Sequence, residues 1–266
     1  MRKKQMITLL SPAKKLNLEI PKSGLNTTQP IFKLDTIELT KVVKKQSVDD
    51  LKKLMHLSDN LARLNADRFK AFNLDGLSNS SKAAGLTFDG NVYWGLQANS
   101  LNEDDLNYAQ SHLRILSGLY GILKPLDLIQ PYRLEMGTKL KTKRGKSLYE
   151  FWGNKIATSI NNDLSGHLDK TIVNLASNEY FKAIDKSVLK SDVISAKFLN
   201  IRDGQAKSLM YYAKFARGLM ARWIIENKIE FARDLKEFDL DGYKYDNNLS
   251  ENNELVFTRI QPETKK

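Results

Sequence analysis

The sequence predicts an α/β (mixed α+β) fold in a single compact domain, residues 1–266, and three observations carry that expectation. Short runs rich in β-branched residues alternate with longer stretches of helical periodicity. No Gly/Ser-rich linker and no repeat of fixed period interrupts the alternation. The chain has 266 residues, 41% hydrophobic and 27% charged, enough to bury an ordinary core without covalent staples.

The elements follow in order. A basic leader, Met1-Arg2-Lys3-Lys4-Gln5, precedes a first strand at 6–10. Residues 47–55 and 59–72 read as two short helices joined at His56-Leu57-Ser58, with Leu51, Leu54 and Met55 facing Leu61, Leu64 and Phe69. The Ser-rich stretch 75–85 reads as a loop, and 88–96 and 131–136 as weaker strands. Ser100-x-x-Glu103 and Ser147-x-x-Glu150 fit the capping box, in which hydroxyl and carboxylate satisfy free backbone N–H groups. After the first box, Leu106, Ala109, Leu113, Leu116 and Tyr120 recur at helical spacing until Pro125 closes the run. Residues 171–175, 193–199 and 254–260 read as strands, and 212–227 as a helix.

Composition removes several function classes. Cysteine is absent, which excludes disulfides, thiolate metal sites and a Cys nucleophile. The three histidines, His56, His112 and His167, lack ligand spacing to one another, so neither a metal site nor a cofactor is expected. The apolar run after the leader ends before Lys14 and Lys15, too short for a secretion signal or a membrane span. A cytoplasmic protein without membrane attachment is the expectation. The net charge of +11 favours polyanionic partners. Lys139, Lys141, Lys143, Arg144 and Lys146 fall in one run without an acid between them, five basic residues and one Asp lie in 201–222, and 239–254 is acid-rich. Charge segregated in this way suggests a lined groove.

Four segments gather chemistry-bearing side chains. The first strand runs into Ser11-Pro12-Ala13-Lys14-Lys15, and ligands collect beyond the carboxyl ends of such strands; a turn with solvated lysines is the simpler reading. Within 116–137, Arg133 and Glu135 flank Leu134, so in extended chain both face away from it, beside Tyr132. They form either an ion pair or an anion-binding, proton-handling pair. Just beyond Asn174 and the strand end at Leu175, Ser177, Asn178, Glu179 and Tyr180 cluster where a helix starts, and a plain N-cap at Ser177 or Asn178 is the simpler reading. Lys214 and Arg217 share a helix face, and Gly218 beside them admits a ligand or a second backbone. On the 47–72 unit, Lys52, Lys53, Arg63 and Arg68 ring a junction suited to a phosphate backbone, although an ordinary helical pair explains the same pattern.

Taken together, Ile7-Thr8-Leu9-Leu10-Ser11-Pro12-Ala13-Lys14, LSGLYGILKPLDLIQPYRLEMG at 116–137, Leu148-Tyr149-Glu150-Phe151-Trp152-Gly153, the 174–184 and 212–227 segments and Asn253-Glu254-Leu255-Val256-Phe257 resemble the YaaA family of bacterial peroxide-stress proteins from about Met6 onward. The resemblance implies a cytoplasmic protein that protects against hydrogen peroxide and lowers unincorporated iron. It also implies one domain of unusual topology, with a basic cleft and a helix-hairpin-helix element, that binds DNA largely without sequence preference, distorted duplexes included. Carried onto this chain, that element falls at 47–72, without the usual glycine in its loop. The competing expectation is an enzyme. In that reading Ser11, Lys14, Tyr132, Arg133, Glu135, Asn174, Ser177, Glu179, Lys214 and Arg217 line a pocket for a nucleotide-like ligand. Glu135 or Glu179, or Lys14, then supplies the catalytic group.

Overall fold

The structure is a computed structural model, and it describes residues 6–19, 24–75, 78, 80–167 and 169–262. The leader 1–5 lies outside the described residues, as do Gly76, Leu77 and Asn79 of the expected 75–85 loop. A mixed α/β domain is built on one eight-stranded sheet. Its strands are β1 (Ile7–Leu10), β2 (Leu113–Ser117), β3 (Gly121–Leu123), β4 (Ile172–Asn174), β5 (Val193–Arg202), β6 (Gln205–Lys207), β7 (Lys244–Tyr245) and β8 (Glu254–Ile260). The order is β7-β8-β5-β4-β1-β2-β3, with β6 pairing only to β5. The five central strands run parallel, and β3, β6 and β7 are antiparallel additions.

The central strands are apolar because both faces are covered. Every residue of β1, Ile-Thr-Leu-Leu, is buried. The buried Arg114 of β2 is tolerated because Asp163 holds its Nε at 2.6 Å and backbone carbonyls take its NH1. At the other side Phe198, Phe238, Tyr243, Phe257 and Trp223 pack edge to face at 5.2–6.0 Å, the favoured geometry for aromatic quadrupoles.

The main helices are α1 (Lys33–Val43), α2 (Val48–Met55), α3 (Asp59–Ala71), α4 (Asn91–Leu96), α5 (Glu103–His112), α6 (Lys155–Leu164) and α7 (Met210–Glu226). The expected helical pair is present as α2 and α3. Ser47 closes a full capping box with Asp50, and His56 ends α2 in the left-handed conformation at φ 51°. Leu51, Met55 and Phe69 are buried there as expected, but Leu61 and Leu64 stand 39% and 44% exposed. Ala62, Asn65 and Ala66 form the packed face of α3 instead. At Ser147 half of the expected capping box forms: Ser147 Oγ accepts the Glu150 amide at 3.2 Å, but the Glu150 carboxylate takes the amide of Lys146 at 3.0 Å and not that of Ser147.

Four expectations are corrected. The helix expected to run on to Tyr120 stops at His112, and Leu113–Ser117 is a central strand. Both of its faces are buried, so it shows no alternation to separate it from helix. That helix is capped by Asn102, whose side chain accepts the Asp105 amide, and not by Ser100. Residues 88–96 form no continuous strand: only Phe88–Asp89 is a strand, paired with Lys15–Leu16, and α4 follows. Residues 131–136 lie in no ladder, although burial alternates along them.

Candidate functional site

Three neighbouring parallel strands end level with one another. Leu10 of β1 lies opposite Ile115 of β2, and Leu9 opposite Asn174 of β4. The chain leaves β1 for β2 on one side and returns to β4 on the other, so their carboxyl ends bound a topological switch point, where open α/β sheets bind ligands. Each strand delivers a polar side chain there. Ser11 Oγ accepts the Ser177 amide at 2.8 Å and lies 3.3 Å from Ser177 Oγ, while the Ser11 carbonyl accepts Tyr93 OH at 3.0 Å. Ser117 Oγ lies 2.6 Å from Tyr132 OH. Asn174 Oδ1 accepts the Ala176 amide at 3.0 Å, and its Nδ2 donates to Ser195 Oγ at 3.3 Å.

The 131–137 segment crosses these ends at backbone contact. A Cβ on Gly118 would sit 2.3 Å from the Leu134 carbonyl oxygen, so only glycine allows this approach. Tyr132, Leu134 and Met136 turn inward and Arg133 and Glu135 outward, as the spacing predicts. Glu135 Oε1 receives Lys14 Nζ and Arg133 NH2, both at 2.9 Å. Burial pushes its carboxyl up, but the hydrogen bonds and charge of Lys14 and Arg133 outweigh burial and hold it below the usual carboxylate range. Glu179 Oε1 accepts the Gly137 amide at 3.0 Å, and its carbonyl accepts Tyr149 OH at 2.9 Å. Beneath lie the phenols of Tyr93, Tyr132 and Tyr180, all raised above their ordinary value by burial; they stay protonated.

Ser11, Lys14, Tyr132, Arg133, Glu135, Asn174, Ser177 and Glu179 are thus gathered in one cluster of separate hydrogen-bonded groups. Arg68 joins it from α3. This half-buried guanidinium is lowered first by burial and then by the charge of Arg133, and it has no ion pair among the described residues. Lys52, Lys53 and Arg63 stay on the outer side of the helical pair, Lys52 bound to Asp59 at 2.5 Å. Arg217 is half-buried on α7, its Nε buried without a hydrogen-bond partner, and burial alone lowers it. Lys214 stands exposed one turn before it. Helix α4 packs against α7, and its N-cap Gly90 lies beside Ala13. The space beside Gly218 is taken by the backbone of α4: a Cβ there would lie 1.7 Å from the Val92 carbonyl oxygen.

The basic run 139–146 is divided in the structure. Arg144 is tied to Asp35 and Glu38 and lies 4.3 Å over the Phe151 ring, with Lys155 on the same Asp35, whereas Lys139, Lys141, Lys143 and Lys146 are exposed. Sequence reasoning missed Tyr93 and Ser117. Tyr93 sat in a segment read as strand, and Ser117 in one read as helix. No three His, Asp or Glu side chains among the described residues stand close enough to hold a metal ion, and no helix there is long and apolar enough to cross a membrane.

The fold and site define a mixed α/β protein with polar and cationic groups gathered at the carboxyl ends of a mostly parallel sheet. Residues 6–249 match the family model described as peroxide stress protein YaaA. The chain is 51% identical over 257 residues to a UPF0246 protein of Phenylobacterium zucineum, covering 97% of this chain and 96% of that one. It is 50% identical to a UPF0246 protein of Maricaulis maris, covering 97% of each. A Caulobacter vibrioides UPF0246 protein is 49% identical, with 97% of this chain and all of that one covered. The chain belongs to the YaaA peroxide stress protein family.

Proposed function

We propose that this protein serves the peroxide stress response in the cytoplasm by binding DNA through its phosphates, in a cationic cleft between the α2–α3 pair and the strand ends. One observation carries the reading: half-buried Arg68 stands near enough to Arg133 to feel its charge and has no carboxylate of its own among the described residues, whereas Arg133 shares Glu135 with Lys14. Two guanidinium groups held together away from bulk water are stabilised by an anion, and a phosphate diester fits that need. The helical pair acts as the helix-hairpin-helix-like element. His56 takes the left-handed position that a glycine usually holds, Ser58 makes no side-chain cap to α3, and Lys53 and Arg63 flank the junction. The first amides of α3 are therefore open to a phosphate oxygen.

Fluorescence anisotropy with a labelled duplex tests this. Log affinity is expected to fall linearly with log salt, and Arg68→Ala to weaken binding uniformly across sequences and reduce the slope by about 0.9. A flat salt response sinks the reading. The effect on unincorporated iron is indirect: DNA that is covered by the protein is shielded from iron-driven damage. Tight stoichiometric ferrous binding in calorimetry would refute that part.

A second reading, an enzyme acting on a nucleotide or nucleobase, is supported by the position of Ser11, Ser177, Glu135 and Glu179 at the switch point. Glu135 is kept ionised by its two cations, so in this reading it accepts a proton and does not supply one. Conversion of a nucleotide by the wild type that Glu135→Gln abolishes is the expected outcome; no conversion of any nucleotide, or conversion undiminished by the substitution, removes the reading.

A further inference from the structure

We propose that Trp94 and Tyr211, flanked by Lys15 and Lys214, form a stacking platform for an unpaired base of single-stranded DNA at the border of the strand-end site. This rests on the DNA-binding reading and extends it to a second kind of contact.

The platform follows from the way α4 is wedged in place. Val92 and Gly95 meet α7 backbone to backbone, while Tyr93 turns to the Ser11 carbonyl. Trp94 is left on the flank, its side chain 46% exposed. Its indole N–H already donates to Asp89 Oδ1 at 2.7 Å, and Asp89 Oδ2 is held by Lys15 at 2.6 Å. The ring is therefore fixed in orientation, and its exposure serves no polar need of its own. Asn91, one turn before Trp94, reaches the Tyr211 carbonyl at 3.5 Å, which sets the first turn of α7 alongside. Tyr211 is 58% exposed and packs edge-on against Tyr212, which lies under the Arg259 guanidinium. Lys214 projects one turn further on the same face, exposed and without an ion pair among the described residues.

Rigid aromatic faces between ammonium groups suit a base and its flanking phosphates, because every base has a π-face whatever its sequence. The surface also continues the cations of the proposed DNA cleft: Lys15 on Asp89 is the chain neighbour of Lys14 on Glu135. That continuity favours a nucleic acid over an apolar protein surface as occupant.

Anisotropy with labelled oligothymidine and with a duplex of equal length separates the two readings. Trp94→Ala and Tyr211→Ala are each expected to lose about tenfold in affinity for oligothymidine and less than about twofold for duplex, while Trp94→Phe retains most of the single-strand affinity. Trp152 and Trp223 are only 1% and 9% exposed, so quenching of tryptophan emission by oligothymidine should vanish in Trp94→Ala. Unchanged single-strand affinity in both alanine variants, or quenching that survives Trp94→Ala, overturns the platform. A wild type that binds duplex but not oligothymidine overturns the platform alone, and one that binds neither overturns the DNA reading with it.

Discussion

Gly218→Ala sets two effects of opposite sign against each other. In an open helix, alanine is favoured over glycine by about 1 kcal/mol, so the substitution would stabilise α7. In this protein the added methyl would stand 1.7 Å from the Val92 carbonyl oxygen and 2.9 Å from the Leu96 amide nitrogen. Carbon–oxygen contacts settle near ~3.3 Å, so α4 and α7 would have to part by about 1.5 Å. Neither neighbour is a flexible side-chain tip that can swing aside. Overpacking of this kind costs about 1–3 kcal/mol and occasionally more, and backbone against backbone belongs at the upper end. The net expectation is a loss of about 2 kcal/mol, seen as a fall in Tm of roughly 4–8 °C for a domain of this size. Thermal unfolding followed by circular dichroism measures it. A Tm raised by a few degrees would mean that α7 carries an open surface at Gly218, and the account of how α4 is held would fail.

Glu135→Gln is expected to destabilise at neutral pH, because Lys14 and Arg133 lose their shared carboxylate. Glu135 is held below its ordinary value of 4.5 in the folded protein, so its contribution is present above that value and disappears as pH falls through the folded-state pKa. The gap in Tm between wild type and variant should therefore shrink in acid; a gap constant from about pH 3 to 7 contradicts the ion-pair account. Tyr132→Phe removes the buried hydroxyl contact to Ser117 and should cost about 1 kcal/mol in urea unfolding, since Ser117 keeps the Tyr120 amide; an unchanged midpoint would show that the contact contributes nothing.

What the sequence made legible was local. Strands 6–10, 171–175, 193–199 and 254–260 announced themselves by β-branched content, and the helix at 47–55 by its apolar spacing; its Ser47–Asp50 capping box was not read there. Arg133 and Glu135 share a face because two residues of extended chain place them so, and the structure pairs them at 2.9 Å. Leu113–Ser117 was illegible as a strand because its neighbours on both faces erase the alternation, and only the sheet decides between strand and helix. Leu61 and Leu64 carry apolar side chains at helical spacing, yet the small face of Ala62 and Ala66 packs better and turns them outward. The joining of Arg68 to Arg133, or of Tyr93 to Ser11, spans distant elements, and no local pattern encodes it.

Strand β8 lies between β5 and β7 and pairs with β5 along seven residues, Glu254 to Ile260. On a ribosome, β5 is synthesised roughly 50 residues before that partner. At ~5–20 residues per second the delay is about 3–10 s. Over that interval the nascent chain carries a strand with one row of amides and carbonyls unmatched, a template for any other extended segment nearby. The exposed, largely polar hairpin partner β6 occupies part of the opposite side only. Biogenesis of this protein thus includes a brief sticky stage that ends when the final strand slots in, and chaperone demand should concentrate there.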